Sequence, residues 1–185
     1  EALQALLQKP ATRTVAMESL LKVRNRLDAA KLTPILQTSA RSLLADDNAA
    51  AELGFRLASS FKLAGLEDEI EKLLLGGRLG SPPLHVSAIR ALREMNSRHV
   101  QTLAKFANHS DAAIRDEAVL ALASSKSDQA APLLLKLWPD LTWPLRRTAL
   151  DRLAGTQSGA QSIVKAVKSG AIEKSELESV TLDKL

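Results

Sequence analysis

DAAIRDEAVLAL, residues 111–122, is the stretch that decides the fold of this chain of 185 residues. Its apolar side chains fall at positions i, i+4, i+5 and i+8, which is one face of a helix with 3.6 residues per turn. Asp111 precedes that face, where its carboxylate can accept free backbone N–H groups as an N-cap. The stretch therefore predicts one amphipathic helix. The members of its apolar face are Ile114, Ala118, Val119 and Leu122.

The same pattern recurs along most of the chain. Copies begin at residues 15, 50, 84, 114 and 145, so successive copies are 30 to 35 residues apart. The second position of every copy is small, which allows two helices to approach closely. A helix pair of this kind cannot bury its apolar face alone, so neighbouring pairs stack and share a continuous core. The recurrence therefore predicts a helical solenoid. The small residues are Ser19, Gly54, Ala88, Ala118 and Ala149.

Residues 111–122 resemble the second helix of a HEAT repeat, D-x-x-[VI]-R-x-x-A-x-x-A-L. The matching residues are Asp111, Ile114, Arg115, Ala118, Ala121 and Leu122. The copy that begins at Leu145 matches in part, and the earlier copies lack the arginine. The resemblance implies an all-α fold, a right-handed α-α superhelix (solenoid) of about five to six HEAT-like helix pairs. We expect residues 1–185 to form a single HEAT-like repeat domain.

Composition limits the classes of protein that remain. Apolar residues make up 45% of the chain, yet no apolar run approaches the roughly 20 residues that span a bilayer. The net charge is +4, and acidic and basic residues are mixed in both halves, so charge alone does not indicate nucleic-acid binding. The absence of cysteine excludes disulfides, thiolate metal sites and cysteine nucleophiles.

Proline and capping residues predict where several helices begin. Residues 2–8 form a short helix that Pro10 stops, because proline cannot continue a helix. Thr33-Pro34, Ser81-Pro82 and residues 142–144 each place a hydroxyl side chain one or two residues before a proline, which is typical of a helix start. Residues 175–184 begin with a capping-box pattern and predict the last helix.

The tail of the chain resembles the helical segment of large planctomycete-type proteins. These proteins join a β-propeller dehydrogenase-like region, HEAT-like repeats and a C-terminal c-type cytochrome domain. Their haem-attachment Cys-x-x-Cys-His is absent here, so haem and redox chemistry do not carry over. The resemblance implies a linking or scaffolding segment, a fragment of a larger, exported bacterial protein with a periplasmic or extracytoplasmic location. The matching stretches are LDRLA at 150–154, GAQ at 159–161, AVKSGAI at 166–172 and EL at 176–177.

No pattern in the chain predicts a catalytic, cofactor or metal site. His85, His99 and His109 lie outside metal-ligand spacings, and we expect them to be surface or locally hydrogen-bonded residues. The His-Glu dipeptides of HEAT-like di-iron enzymes and the Gly-x-Ser-x-Gly of hydrolases are absent. A lyase-like chaperone for a tetrapyrrole stays open as a further class, although no residue of its pocket can be named.

Trp138, Asp140 and Trp143 form the most unusual cluster in the sequence. The alternative function that they suggest is a HEAT-like DNA glycosylase acting on alkylated bases, in which Trp and Asp hold the damaged base. The structural interpretation is that Trp138 plugs the core between repeats and Trp143 packs on the next helix. We favour the structural interpretation, because such enzymes spread their active residues over several repeats and this chain has few aromatic residues for stacking.

Arginines on the second helices predict a face that binds an acidic partner. The competing interpretation is structural: Arg115 would bond Asp111 in its own helix or Asp151 in the next repeat. We expect no catalysis, and a role in protein–protein interaction or structural linkage, with a protein partner or neighbouring domains of the same chain. A nucleic-acid partner is not expected, and the oligomeric state stays open. The predicted face consists of Arg90, Arg93, Arg115, Arg146 and Arg147.

Overall fold

The structure, a computed structural model, describes residues 5–7 and 9–183. In this described part every regular element is a helix and no strand occurs, which confirms the all-α prediction. None of the helices described is both long and apolar enough to cross a bilayer. The α-helices are α1 (Pro10–Val23), α2 (Ala29–Ala45), α3 (Asn48–Phe61), α4 (Glu67–Leu75), α5 (Pro82–Glu94), α6 (Val100–Phe106), α7 (Ala112–Ala123), α8 (Ala130–Leu137), α9 (Trp143–Ala154), α10 (Gln157–Lys168) and α11 (Ser179–Leu182). Short 3-10 helices cover Arg24–Arg26, Ala64–Leu66, Trp138–Asp140 and Lys174–Glu176.

The chain forms two compact units, Glu1–Met95 and Asn96–Leu185. In the first unit α2 packs on α3 and α4 on α5, while α3 also contacts α1 and α5 and α2 also contacts α4. Helices α1, α3 and α5 thus form one layer, and α2 and α4 form the other. The arrangement is that of helix pairs stacked side by side, as the repeat pattern predicts.

The second unit is built in the same way. Helix α6 packs on α7, α8 on α7, and α10 on α9, so each second helix lies against a first helix. Helix α7 contacts α9 and α9 contacts α11, whereas α6 contacts α8 and α8 contacts α10. Each layer therefore advances by one helix per repeat.

Polar side chains start most of the longer helices. The carboxylates of Asp28, Asp47 and Asp111 accept backbone N–H groups at the starts of α2, α3 and α7. The Thr156 hydroxyl does the same for α10. These side chains satisfy N–H groups that have no partner within the helix.

The prediction for Asp111 is confirmed, since its Oδ1 accepts from the amides of Ala113 (2.9 Å) and Ile114 (3.2 Å). Ser81-Pro82 and residues 142–144 also begin helices as predicted, with proline in the first turn of α5 and α9.

Two predicted boundaries are wrong. Thr33-Pro34 does not start a helix, because Asp28 caps α2 five residues before Thr33 and Pro34 lies inside that helix. Residues 175–184 do not form one helix: a 3-10 helix with a capping box between Glu173 and Glu176 precedes the short α11. The predicted helix at 2–8 lies largely outside the described residues, of which 5–7 are helical.

Side-chain hydrogen bonds join successive repeats. Each connects residues 28 to 35 positions apart, close to the period of the sequence pattern. The repeat thus appears in the polar contacts as well as in the core. The pairs are Arg41 with Glu69 (2.6 Å), Ser87 with Glu52 (3.0 Å), the Lys126 amide with Asn96 (3.0 Å), Arg152 with Ser124 (3.1 Å) and Arg146 with Glu176 (3.4 Å).

The small residues of four copies lie buried, as predicted. Ala88, Ala118 and Ala149 have no exposed surface. Gly54 is also buried, and a Cβ added there would lie 2.9 Å from Leu44 Cδ2 on α2. A larger side chain at this position would force α2 and α3 apart.

The first copy is different, and the prediction for it is wrong. Ser19 is exposed, and Val15, which begins the copy, is 65% exposed. Leu20 is the one buried member of this copy, and the other buried apolar residues of α1, Met17 and Leu21, lie outside it. The pattern marks the face on which another helix packs, and in the described part of the chain that face of α1 is open to solvent.

Candidate partner-binding surface on helix α9

Helix α9 divides sharply into a buried and an exposed face. Leu145, Ala149, Leu150 and Leu153 are buried, at the positions that the repeat pattern gives them. The opposite face carries Trp143 and Arg147, one turn apart, and both are exposed. Their exposure follows from the helical period, because residues i and i+4 lie on one side of a helix.

Trp143 and Arg147 line an open cavity of about 490 Å³. The Trp143 side chain is 50% exposed. Arg147 Nε lies 2.7 Å from Glu178 Oε1 in an ion pair that is itself largely exposed. The cavity therefore combines an accessible aromatic ring with charged groups of both signs. Its full lining is Trp143, Pro144, Arg147, Thr148, Asp151, Glu178 and Thr181.

Arg146, the neighbour of Arg147, bonds other groups of the same unit. Its Nε and Nη2 donate to the carbonyls of Trp138 and Pro139, each at 3.1 Å, and its Nη1 lies 3.4 Å from Glu176 Oε2. The guanidinium also sits over the Trp138 ring, 5.8 Å from its centroid. Arg146 thus ties α9 to the segment that precedes it and to the one that follows, which leaves little of it for a partner.

Trp138 is 2% exposed, so the prediction that it plugs the core is confirmed. Its indole Nε1 is buried and has no hydrogen-bond partner. Asp140 is exposed, and Trp143 lines a cavity to which Trp138 does not contribute. The two tryptophans are therefore not arranged to hold one base between them, and the glycosylase alternative gains no support.

Arg115 on α7 is partly buried and bonds the next residue along the chain. Its Nε lies 3.2 Å from Asp116 Oδ1. Asp111, one of the two partners that the structural interpretation named for it, uses its carboxylate to cap the helix. Arg115 is therefore paired with a carboxylate of its own helix.

Arg90 and Arg93 belong to α5 in the first unit. Arg90 is exposed. The Arg93 side chain is mostly buried and its Nη2 lies 3.1 Å from Glu94 Oε1. Among the five predicted arginines, the structure thus leaves Arg90 and Arg147 most accessible.

Sequence reasoning missed the residues that complete the α9 cavity. Thr148 and Asp151 follow from the helical period once Trp143 is known to be exposed. Glu178 could also have been predicted, because it lies about one repeat after Arg147, the spacing at which other polar pairs of this chain form. No feature of the sequence predicts that Thr181 lines the cavity.

The histidines take local roles. His85 Nδ1 lies 3.0 Å from the Ser81 carbonyl, and His109 Nδ1 accepts from the Asp111 amide at 3.0 Å. The His109 ring also stacks on Phe106, with centroids 6.2 Å apart. These contacts confirm the local hydrogen bonds expected of His85 and His109. Within residues 5–7 and 9–183 no group of three or more His, Asp or Glu side chains is arranged to hold a metal ion.

Comparison with known proteins agrees with this architecture. A search of curated proteins gave no match. Among solved structures, the crystal structure of an engineered protein from a structural genomics consortium matches with a TM-score of 0.63 and 17% identity, over 99% of this chain and 92% of that one. At this identity the likeness shows the fold alone. The family model for HEAT repeats matches residues 70–169, more than half of the sequence. The chain therefore belongs to the HEAT-repeat family.

Proposed function

We propose that the chain is a non-catalytic protein-interaction or scaffold domain, and that the exposed face of α9 contacts its partner. The observation that carries this proposal is the half-exposed Trp143 beside Arg147 in an open cavity. Tryptophan and arginine are the residue types most enriched among those that dominate binding energy at protein interfaces. Their presence together on an exposed helix face favours recognition over a purely structural role.

The chemistry of the cavity describes the partner. The Trp143 ring offers apolar area, and Arg147 can bond a carboxylate through two parallel N–H donors. The Arg147–Glu178 pair is exposed, with side chains 62% and 42% accessible. Exposed pairs of this kind contribute little to stability, so a partner's carboxylate can replace Glu178 at low cost. The expected partner segment therefore carries an acidic residue next to an apolar one.

The remaining arginines extend the proposal within each unit. In the second unit Arg115 and Arg146 belong to the same layer of second helices, although both are engaged in internal contacts. In the first unit Arg90 and Arg93 lie on α5. We place Arg146 second to Arg147, since it already donates to two backbone carbonyls and would lose those bonds on turning to a partner.

The tail resemblance supports a further part of the proposal, a linking role within a larger exported bacterial protein. The sequence of the complete gene product tests it. A propeller region before residue 1 and a cytochrome domain after residue 185 would support the linking role, and their absence would contradict it.

Affinity capture with single variants tests the interaction surface. Trp143→Ala and Arg147→Glu are expected to lose a partner, retained from a lysate of the source organism, that the unaltered chain retains. Arg56→Glu is the matched control, because Arg56 is an exposed arginine on α3. Circular dichroism and Tm should stay unchanged for all three variants. Retention of the same partner by Trp143→Ala and Arg147→Glu would refute the surface.

An incision assay on duplex DNA with alkylated bases tests the absence of catalysis. We expect no cleavage, and weak DNA binding with a shallow dependence on salt. Activity that Asp140→Asn abolishes would overturn the proposal in favour of a glycosylase.

A further inference from the structure

Helix α1 carries an apolar groove along the face that the first copy of the repeat pattern marks. Val15 and Val23 on this face are 65% and 41% exposed, and Leu6 at one end of the groove is 47% exposed. Large apolar side chains rarely lie side by side in solvent without a binding role. The groove is lined by Leu6, Thr12, Val15, Ala16, Ser19, Leu20 and Val23.

In helix α3, the equivalent face of the repeat pattern is covered by another helix of the same unit. Gly54 of α3 stands where Ser19 stands in α1, and it faces α2 so closely that an added Cβ would lie 3.4 Å from the Ala40 carbonyl oxygen. Helix α2, which has 17 residues, covers that face of α3. This face of the pattern is therefore one on which a long helix of the opposite layer packs.

In α1, only the beginning of the equivalent face is covered. The Thr12 hydroxyl donates to the Leu6 carbonyl at 2.6 Å, and Arg13 Nε donates to the Leu7 carbonyl at 3.1 Å. These bonds hold the helical turn at 5–7 against the start of α1. Beyond this start, Val15, Ser19 and Val23 are exposed within the described part of the chain, over about two turns of helix.

The groove is bordered by positive charge. Residues 9–26 contain five Lys or Arg and one Glu, so this short segment has a net charge equal to the +4 of the whole chain. Lys9, Lys22 and Arg26 are exposed. By the helical period Lys22 lies beside the groove, and Lys9 immediately precedes the helix that forms it. An occupant with acidic residues beside its apolar stripe would match both the shape and the charge.

We propose that the α1 groove binds an amphipathic, acid-flanked α-helix of a partner protein, in the position on α1 that α2 takes on α3. A helix that fits would present apolar residues at i, i+4, i+7 and i+8, the spacing of Leu36, Ala40, Leu43 and Leu44 in α2. A second copy of α1 fits poorly, because two basic segments would face each other. This surface is distinct from the α9 face, so either can fail without the other.

Two synthetic 17-residue helices test the proposal on the full chain. Both carry leucine at the α2 spacing; one has glutamate on the flanks and the other has lysine. Fluorescence anisotropy should show the glutamate peptide binding at least about tenfold more tightly than the lysine peptide, with the difference shrinking as salt screens the charges. Equal binding of the two peptides, or no binding of either, would overturn the proposal.

Single substitutions then locate the site. Val15→Glu should weaken binding of the glutamate peptide at least about tenfold, since it buries a charge in the apolar contact. Lys22→Glu should weaken it about three- to tenfold through charge repulsion. Val164→Glu is the matched control: Val164 is an exposed valine on α10, 37% accessible, and its substitution should leave affinity within about twofold.

Sedimentation velocity tests whether a second copy of the chain, rather than a partner helix, occupies the groove. The unaltered chain and Val15→Glu should both sediment as monomers at micromolar concentration. A dimer that Val15→Glu dissociates would show that a second copy fills the groove, and would refute the acid-flanked helix.

Discussion

Helices α1 and α7 carry the same sequence pattern and place it in opposite environments. In α7 Ile114 and Ala118 are buried between neighbouring helices, whereas in α1 the equivalent Val15 and Ser19 face solvent. The pattern therefore specifies a face on which another helix can pack, and burial of that face depends on whether such a helix is present. The same substitution should therefore have large effects in α7 and small ones in α1.

Removing the first apolar side chain of the pattern should give the largest contrast. Ile114 is 2% exposed, so Ile114→Ala leaves a cavity and should lower the free energy of unfolding by about 2–5 kcal/mol. Val15→Ala should change it by no more than about 0.5 kcal/mol, because the side chain is already in water. Urea denaturation followed by circular dichroism measures both. A loss above about 2 kcal/mol for Val15→Ala would show that α1 is covered.

Enlarging the small residue should give the next contrast. Ala118 has no exposed surface, and Ala118→Leu should cost about 1–3 kcal/mol by forcing neighbouring helices apart. Ser19→Leu should be tolerated within about 0.5 kcal/mol. Thermal unfolding of the two variants beside the unaltered chain checks this. Equal Tm values for the two variants would contradict the assigned register.

The helix caps should give the smallest contrast. Asp111 accepts two backbone N–H groups of α7, so Asp111→Ala should cost about 1 kcal/mol. Lys9 stands at the corresponding place before α1 and makes no capping bond through its side chain. Lys9→Ala should therefore change stability by less than about 0.5 kcal/mol, again by urea denaturation. A larger loss for Lys9→Ala than for Asp111→Ala would contradict the assigned caps.

The sequence predicted most of the fold because its signal is local and repeated. The apolar faces of α3, α5, α7 and α9 follow from the helical period and from the spacing of the copies. Helix α1 could not be separated from them by sequence, since it carries the same pattern of apolar and small residues and its exposure depends on whether another helix packs on it. Pro34 misled the boundary of α2 because proline is most common in the first turn of a helix, whereas here it lies inside the helix, where its missing N–H removes one backbone hydrogen bond.

The candidate surface was predictable only in part. Arg146 and Arg147 are adjacent and identical in type, yet one braces Trp138 and Glu176 while the other lines an open cavity. A helix turns by about 100° per residue, so neighbouring side chains point to different surroundings. Which of the two arginines contacts a neighbouring segment depends on the paths of the turns after α8 and α10. The helical period of the sequence does not predict those paths.

Thiol labelling at equivalent positions of the copies measures directly which helix faces are covered, because the chain contains no cysteine of its own. Single variants Ser19→Cys, Ala88→Cys, Ala118→Cys and Ala149→Cys would be reacted with a chromogenic disulfide reagent under native conditions. We expect Ser19→Cys to react at the rate of a free thiol and the other three variants to react slower by at least about a hundredfold, through transient opening. Equal, fast reaction of Ala118→Cys and Ser19→Cys would contradict this expectation.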